Sequence, residues 1–258
     1  MPSKQLDVAI VQPAIIWENI EENLNNYSLA IQPLESDLVI LPEMFNTGFT
    51  MNSGRLAEKM DGPTIQWMKE ISLNKNIALA GSLIIVENDK FYNRFVAVYC
   101  GEIVSIYDKR HLFRMGNENN NYSAGVDLGD FDLQGWRIRP LICYDLRFPV
   151  WSRNTGDIDL MIYVANWPAV RQEVWNILLK ARAIENQVYV AGVNRVGKDG
   201  NEMEYVGGSV IIDPRGNLLQ KADDTPCVIN QKIDLESLNK FREKFPVQLD
   251  ADKFIFKT

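Results

Sequence analysis

The sequence predicts an α/β protein, of α+β mixed sheets with helices on their outer faces. Three observations carry this. Short apolar runs alternate with stretches of helical periodicity over the first third of the chain. Hairpin signals appear in the middle and near the end, which a purely parallel doubly wound sheet does not need. No low-complexity tract, internal repeat or Pro/Gly/Ser-rich linker breaks the 258 residues, so one domain over 1–258 is expected.

Residues 6–12 read as a buried strand. Trp17, Ile20, Leu24, Tyr27 and Ile31 then recur at steps of three and four, which places them on one face of a helix. Residues 38–41 are a second buried strand, ended by Pro42, with Glu43 just past its carboxyl end. Asp61-Gly62-Pro63 opens another helix, with Pro63 in the first turn and Ile65, Met68 and Ile71 inward. Residues 77–84 are strand-like. Residues 91–99 and 102–107 flank Cys100-Gly101 as a hairpin, and the second strand delivers Lys109 to its end. A polar loop over 110–127 contains Glu118. Residues 137–143 form a strand that ends on a thiol, Cys143. A strand over 160–165, the loop Asn166-Trp167-Pro168, a helix over Gln172–Asn186 and a strand over 188–193 follow. Residues 208–213 and 216–220 make a hairpin across Pro214-Arg215. The tail offers a strand near Val228 and a helix from Leu235.

Composition narrows the function. Lysine and arginine number 27 against 34 acidic residues, a net charge of −7. That argues against a nucleic-acid partner, whose binders usually carry a basic face. The apolar stretch at 6–11 is too short and interrupted for a signal peptide or membrane span, so no membrane partner is expected. Three widely spaced cysteines without a CxxC pair argue against a disulfide framework or structural zinc and fit a reducing cytoplasm.

The chemistry centres on Cys143, which an apolar strand presents just before a polar turn. Histidine is the usual base for such a thiol, but the chain has only His111. Glu43, Lys109 and Cys143 each stand at the carboxyl end of a different expected strand, the edge where open α/β sheets bind ligands. An acid, an amine and a thiol can therefore converge with no metal and no histidine. Glu43 can take the thiol proton, Lys109 can stabilise a thiolate and then an oxyanion, and the Tyr144 N–H can be a second oxyanion donor. Cys100 and Cys227 lack such companions and read as ordinary core or surface thiols. Arg147 suits a substrate carboxylate or an ion pair with Asp145. Trp167 suits a pocket wall. Arg182 and Glu185 read as a scaffold pair on one helix.

Leu41-Pro42-Glu43-Met44-Phe45, Tyr107-Asp108-Lys109-Arg110-His111-Leu112-Phe113 and Ile142-Cys143-Tyr144-Asp145-Leu146-Arg147-Phe148-Pro149, in this order, resemble the nitrilase superfamily, the carbon–nitrogen hydrolases. The likeness runs from Leu6 to about Asp234. It implies a four-layer α-β-β-α sandwich, a Glu43–Lys109–Cys143 triad, Glu118 as the second glutamate positioning lysine and substrate, a structural role for His111, and Phe113, Tyr144, Arg147 and Trp167 around the substrate. It also implies no cofactor, and a homodimer with the tail, about 235–258, at the interface. Val164-Ala165-Asn166-Trp167-Pro168, Ala181-Arg182-Ala183-Ile184-Glu185-Asn186-Gln187 and Gly192-Val193-Asn194-Arg195-Val196-Gly197 are similar to the omega-amidase branch. That branch hydrolyses the terminal amide of 2-oxoglutaramate or 2-oxosuccinamate. The residues themselves imply acyl transfer from an amide-like group. N-carbamoyl amide hydrolysis and aliphatic amide hydrolysis share this chemistry. More remote are a metal-dependent phosphodiesterase, which one histidine disfavours, and a non-catalytic binding module.

Overall fold

The computed structural model describes residues 5–155 and 157–255; residues 1–4 and the last three of the tail lie outside. In chain order the elements begin with β1 (Gln5–Gln12), α1 (Ile20–Ile31), β2 (Leu38–Ile40), α2 (Ser53–Leu56), α3 (Pro63–Lys75), β3 (Ala78–Glu87), β4 (Lys90–Tyr99), β5 (Glu102–Asp108) and α4 (Glu118–Asn121). They continue with β6 (Phe131–Leu133), β7 (Trp136–Ile142), β8 (Leu160–Val164), α5 (Gln172–Asn186) and β9 (Tyr189–Val193). The last are β10 (Val196–Lys198), β11 (Glu204–Val206), β12 (Val210–Ile212), β13 (Leu218–Lys221), β14 (Cys227–Asp234) and α6 (Leu235–Lys244).

Two six-stranded sheets result, with strand orders β14-β1-β2-β3-β4-β5 and β13-β12-β9-β8-β7-β6. In each, three neighbouring strands are parallel, β1-β2-β3 and β7-β8-β9, and the outer ones antiparallel. Alternation sets the layers, because successive side chains leave a strand on opposite faces. Leu6, Val8 and Ile10 of β1 join Ile138, Leu160 and Ile162 in a core between the sheets. Ala9 and Val11 face the other way, into a second core with Tyr27 and Ile31 of α1 and Ile65 and Met68 of α3. On the far side, Trp175, Leu179 and Ala183 of α5 cover the second sheet. The order is α-β-β-α, as the resemblance implies.

Local chemistry explains the element ends. The Asn19 side chain accepts from the Glu22 N–H at 3.2 Å and starts α1 there. The helix therefore begins at Ile20, and Trp17 sits in the preceding turn, outside the periodicity that assigned it to the helix face. Pro63 opens α3, and Asn76 closes it in the left-handed conformation, φ 53°. Cys100 and Gly101 both have positive φ, 51° and 78°, the geometry of a tight two-residue hairpin turn. The polar loop after β5 is more ordered than expected: it contains the single helical turn α4, which starts at Glu118. The short β6 and the β10–β11 hairpin had no clear sequence signal.

Candidate active site

β2 and β5 run in the same direction in the first sheet, and β7 and β8 in the same direction in the second. Their carboxyl ends bring Glu43, Lys109, Cys143 and Asn166 together. Lys109 Nζ lies 2.8 Å from Glu43 Oε1 and 2.9 Å from Glu118 Oε2, and all three side chains have 0% exposure. An ammonium has three donors; two are spent on these carboxylates.

The carboxylates are held in turn. Asn93 Nδ2 donates to Glu43 Oε1 at 2.8 Å and to Glu118 Oε1 at 3.0 Å. The Asn166 N–H donates to Glu43 Oε2 at 2.8 Å, while its side-chain amide donates to the Glu43 carbonyl at 2.6 Å. The Phe113 N–H donates to Glu118 Oε2 at 2.6 Å. Ser82 fixes Asn93 by donating to its Oδ1 at 2.9 Å. Asn93 and Asn166 are residues the sequence reading missed. Asn93 stands next to Arg94 in β4, so even its polarity did not single it out.

Cys143 follows β7 directly, with φ 45°, and opens a 3₁₀ turn over Cys143–Arg147. A left-handed non-glycine residue is strained and lifts its side chain off the strand line. The turn is anchored by buried Asp145. Asp145 accepts from the Ile142 N–H at 3.0 Å, the Tyr107 OH at 2.7 Å and the His111 N–H at 3.0 Å. His111 Nδ1 also lies 2.8 Å from it, and the ring stacks on Phe148 with centroids 3.8 Å apart. Arg182 Nη2 donates to the Leu146 carbonyl at 2.6 Å and Nη1 pairs with Glu185 at 2.9 Å, so that pair props the turn from α5. Tyr144 lies in the first turn of this 3₁₀ segment, where N–H groups lack partners within the helix.

Burial pushes the Cys143 thiol well above its ordinary pKa; the Glu43 and Glu118 charges add to the rise and Lys109 opposes it. Burial pulls the Lys109 ammonium down, but Glu118, Glu43 and Cys143 outweigh it and hold its pKa high. Burial and the Glu43 charge likewise raise Glu118 against the pull of Lys109. Two acids beside one ammonium keep the thiol protonated at rest.

Cys143 is half-buried and opens on a cavity of about 810 Å³. Glu43, Phe113, Tyr144, Arg147 and Trp167 line it, as do Asn166, Arg171 and Tyr205. Phe113 and Tyr144 meet edge to face, centroids 5.1 Å apart. Arg147 does not pair with Asp145; its guanidinium lies over the Trp167 ring, 5.6 Å from the centroid. Cys100 is exposed and Cys227 half-buried, and neither lines this cavity. Among the described residues no helix is long and apolar enough to cross a membrane.

A buried acid–amine pair and a thiol opening on a cavity at the strand ends of a layered α/β scaffold define an enzyme. The chain belongs to the carbon–nitrogen hydrolase family, whose model matches residues 7–243. It is 43% identical over 251 residues to the omega-amidase YafV of Escherichia coli K12, covering 96% of this chain and 98% of that one. It is 34% identical over 258 residues to the 2-oxoglutaramate amidase of Bacillus subtilis 168, covering 98% and 97%. The structure of XC1258 from Xanthomonas campestris, a CN-hydrolase superfamily protein with an arsenic adduct in its active site, superposes with a TM-score of 0.97. It is 40% identical and covers 99% of this chain and 100% of that one.

Proposed function

We propose that this amidase hydrolyses the terminal amide of a small dicarboxylic or 2-oxo-dicarboxylic monoamide, such as 2-oxoglutaramate, to the acid and ammonia. The supporting observation is the fully buried Glu43–Lys109 contact of 2.8 Å beside a half-buried thiol that lines the cavity. The similarity to amidases named for omega-amide and 2-oxoglutaramate hydrolysis supports the substrate class.

In this reading Glu43 takes the Cys143 proton as Sγ attacks the amide carbon. The carbonyl electron pair moves to oxygen, where the remaining Lys109 donor and the Tyr144 N–H stabilise it. The oxyanion collapses, the C–N bond breaks, and protonated Glu43 gives its proton to the departing nitrogen, releasing ammonia. Glu43 then deprotonates a water that attacks the thioester, and the proton it gained returns to the leaving Cys143 sulfur. Glu118 keeps Lys109 in place. Arg147 meets the substrate carboxylate, and Trp167 and Phe113 wall the acyl chain.

The test gives purified protein 2-oxoglutaramate and succinamate and measures ammonia beside Cys143→Ala. Release by the wild type alone is expected; no release above the variant for either amide defeats the reading. The free state of all three cysteines supports a reducing compartment such as the cytoplasm, testable by fractionation. Exposed Phe245, Leu249 and Ile255 support a homodimer with the tail at its interface; a monomer mass by light scattering at micromolar concentration would overturn that.

A further inference from the structure

The charges around the cavity are unevenly satisfied. Three carboxylates line it, Glu18, Glu43 and Asp199. Each is already occupied. Glu18 accepts from the Thr50 hydroxyl at 2.6 Å and pairs with Arg55. Glu43 is held by Lys109, Asn93 and Asn166. Asp199 Oδ1 accepts the N–H groups of Asn201 and Met203 at 2.8 and 3.0 Å, and its Oδ2 accepts the Tyr205 hydroxyl at 2.9 Å.

Two guanidiniums line the same cavity, Arg147 and Arg171. Neither forms an ion pair among the described residues. Both rest on aromatic faces instead: Arg147 on Trp167 at 5.6 Å, and Arg171 on Phe113 at 5.3 Å from the centroid. Trp167 joins the two, because its Nε1–H donates to the Arg171 carbonyl at 2.9 Å. Aromatic faces steady a guanidinium without consuming its donors in the ring plane. The cavity therefore offers two guanidiniums with free in-plane donors, while the oxygens of its carboxylates already accept from protein donors.

We propose that Arg171 is a specificity-determining residue that acts with Arg147 as a two-guanidinium clamp on an anionic group at the end of the substrate opposite the scissile amide. This rests on the amidase reading and deepens it. A carboxylate, or a carboxylate flanked by an oxo group, offers oxygens that forked guanidinium donors match. An α-ammonium meets two like charges and carboxylates whose oxygens already accept from protein donors, so a 2-oxo acid monoamide is accepted where the corresponding 2-amino acid amide is rejected. Charge-assisted hydrogen bonds of this kind are worth roughly ten- to hundredfold in affinity.

Two measurements test it. The first compares kcat/KM for succinamate with that for neutral butyramide in wild type, Arg171→Gln and Arg171→Lys. Arg171→Gln should lower the succinamate-to-butyramide ratio about tenfold or more, mainly through KM, and Arg171→Lys should restore part of it. A ratio unchanged in Arg171→Gln, or a loss equal for both amides, overturns the proposal and leaves Arg171 a structural wall. The second measures succinate binding by calorimetry to Cys143→Ala and to Cys143→Ala/Arg171→Gln, with no turnover required. Binding about tenfold weaker in the double variant is expected; equal binding overturns the clamp. Because succinate binding does not need the reaction, failure of the amidase reading shows separately, as an absence of ammonia release by the wild type.

Discussion

A thiol facing two carboxylates and one ammonium keeps its proton, and this single fact shapes both chemistry and stability. A reactive cysteine often depends on a lowered pKa; here burial and the Glu43 and Glu118 charges push Cys143 the other way. In the proposed mechanism the nucleophile is therefore generated during attack, and the adjacent Glu43 carboxylate takes the proton. The sign for stability follows. The unfolded thiol titrates near about 8.5 and the folded one well above it, so between these values the folded state binds more protons. Stability is full below the unfolded value and falls as pH rises past it. Wild type should lose about 1 kcal/mol more than Cys143→Ala between pH 7.5 and pH 9.5 in urea unfolding. Parallel pH profiles for the two proteins would mean that the thiol titrates as in the unfolded chain. That Glu43, Lys109, Glu118 and Cys143 come together was legible in the motif order, because each sits next to a strand end or in the loop after one. Asn93 and Asn166 were not, because a hydrogen bond to a residue 50 or 123 positions away leaves no local pattern.

Between elements, the question is what holds the end of β5 in one sheet against the end of β7 in the other. Asp145 does this. Its carboxylate ties Tyr107 and His111, beside Lys109, to Ile142, beside Cys143. The sequence reading expected Asp145 at most as a partner for Arg147; that pairing was plausible from their spacing, but spacing along a tight turn does not say which way each side chain leaves it. Replacing Asp145 by Ala leaves the Tyr107 hydroxyl and two backbone N–H groups short of an acceptor in a dry site. A cost of about 2–4 kcal/mol in denaturant unfolding is expected. Under conditions where the protein remains folded, kcat should fall more than tenfold with KM changed less, since the reacting groups shift relative to one another more than the distal cavity does. A stability loss with kcat intact would show that the β5 and β7 ends are aligned by something other than Asp145. The hairpins illustrate the limit of legibility at this scale. β4–β5 was readable from long apolar strands around Cys100-Gly101, whereas β10–β11 has three residues on each side, too few for alternation to show. Yet Tyr205 of that hairpin lines the cavity.

Across the whole molecule, the site belongs to neither sheet alone. Glu43 and Lys109 come from the first, Cys143 and Asn166 from the second, and the layer between the sheets fixes their separation. Mixed sheets with helices outside were anticipated from the alternation of elements and the hairpin signals, and the four-layer order from the resemblance to the nitrilase superfamily. The registration of one sheet on the other was not, since it is decided by side-chain interlock across the interior rather than by any local signal. This makes the two cores unequal in function. Ile162 of β8 and Ile65 of α3 are both fully buried isoleucines, but Ile162 belongs to the core that includes the layer between the sheets, and Ile65 to the one outside the first sheet. In β8, Met161 and Tyr163 alternate with Ile162; Met161 contacts Asn186 of α5, so Ile162 points toward the opposite sheet. Ile→Val at either site removes one methylene and should cost about 0.5–1.5 kcal/mol. The catalytic consequences should differ. Relaxation around Ile162 moves the sheets relative to one another and so changes the distance from thiol to base; relaxation around Ile65 moves a helix that carries no site residue. Near-attack geometry tolerates little displacement, so Ile162→Val should lower kcat several-fold more than Ile65→Val at 25 °C, with both proteins fully folded by circular dichroism. Equal kcat values at equal stability loss would show that the site is held by its own hydrogen bonds, and that the packing between the sheets has no part in aligning it.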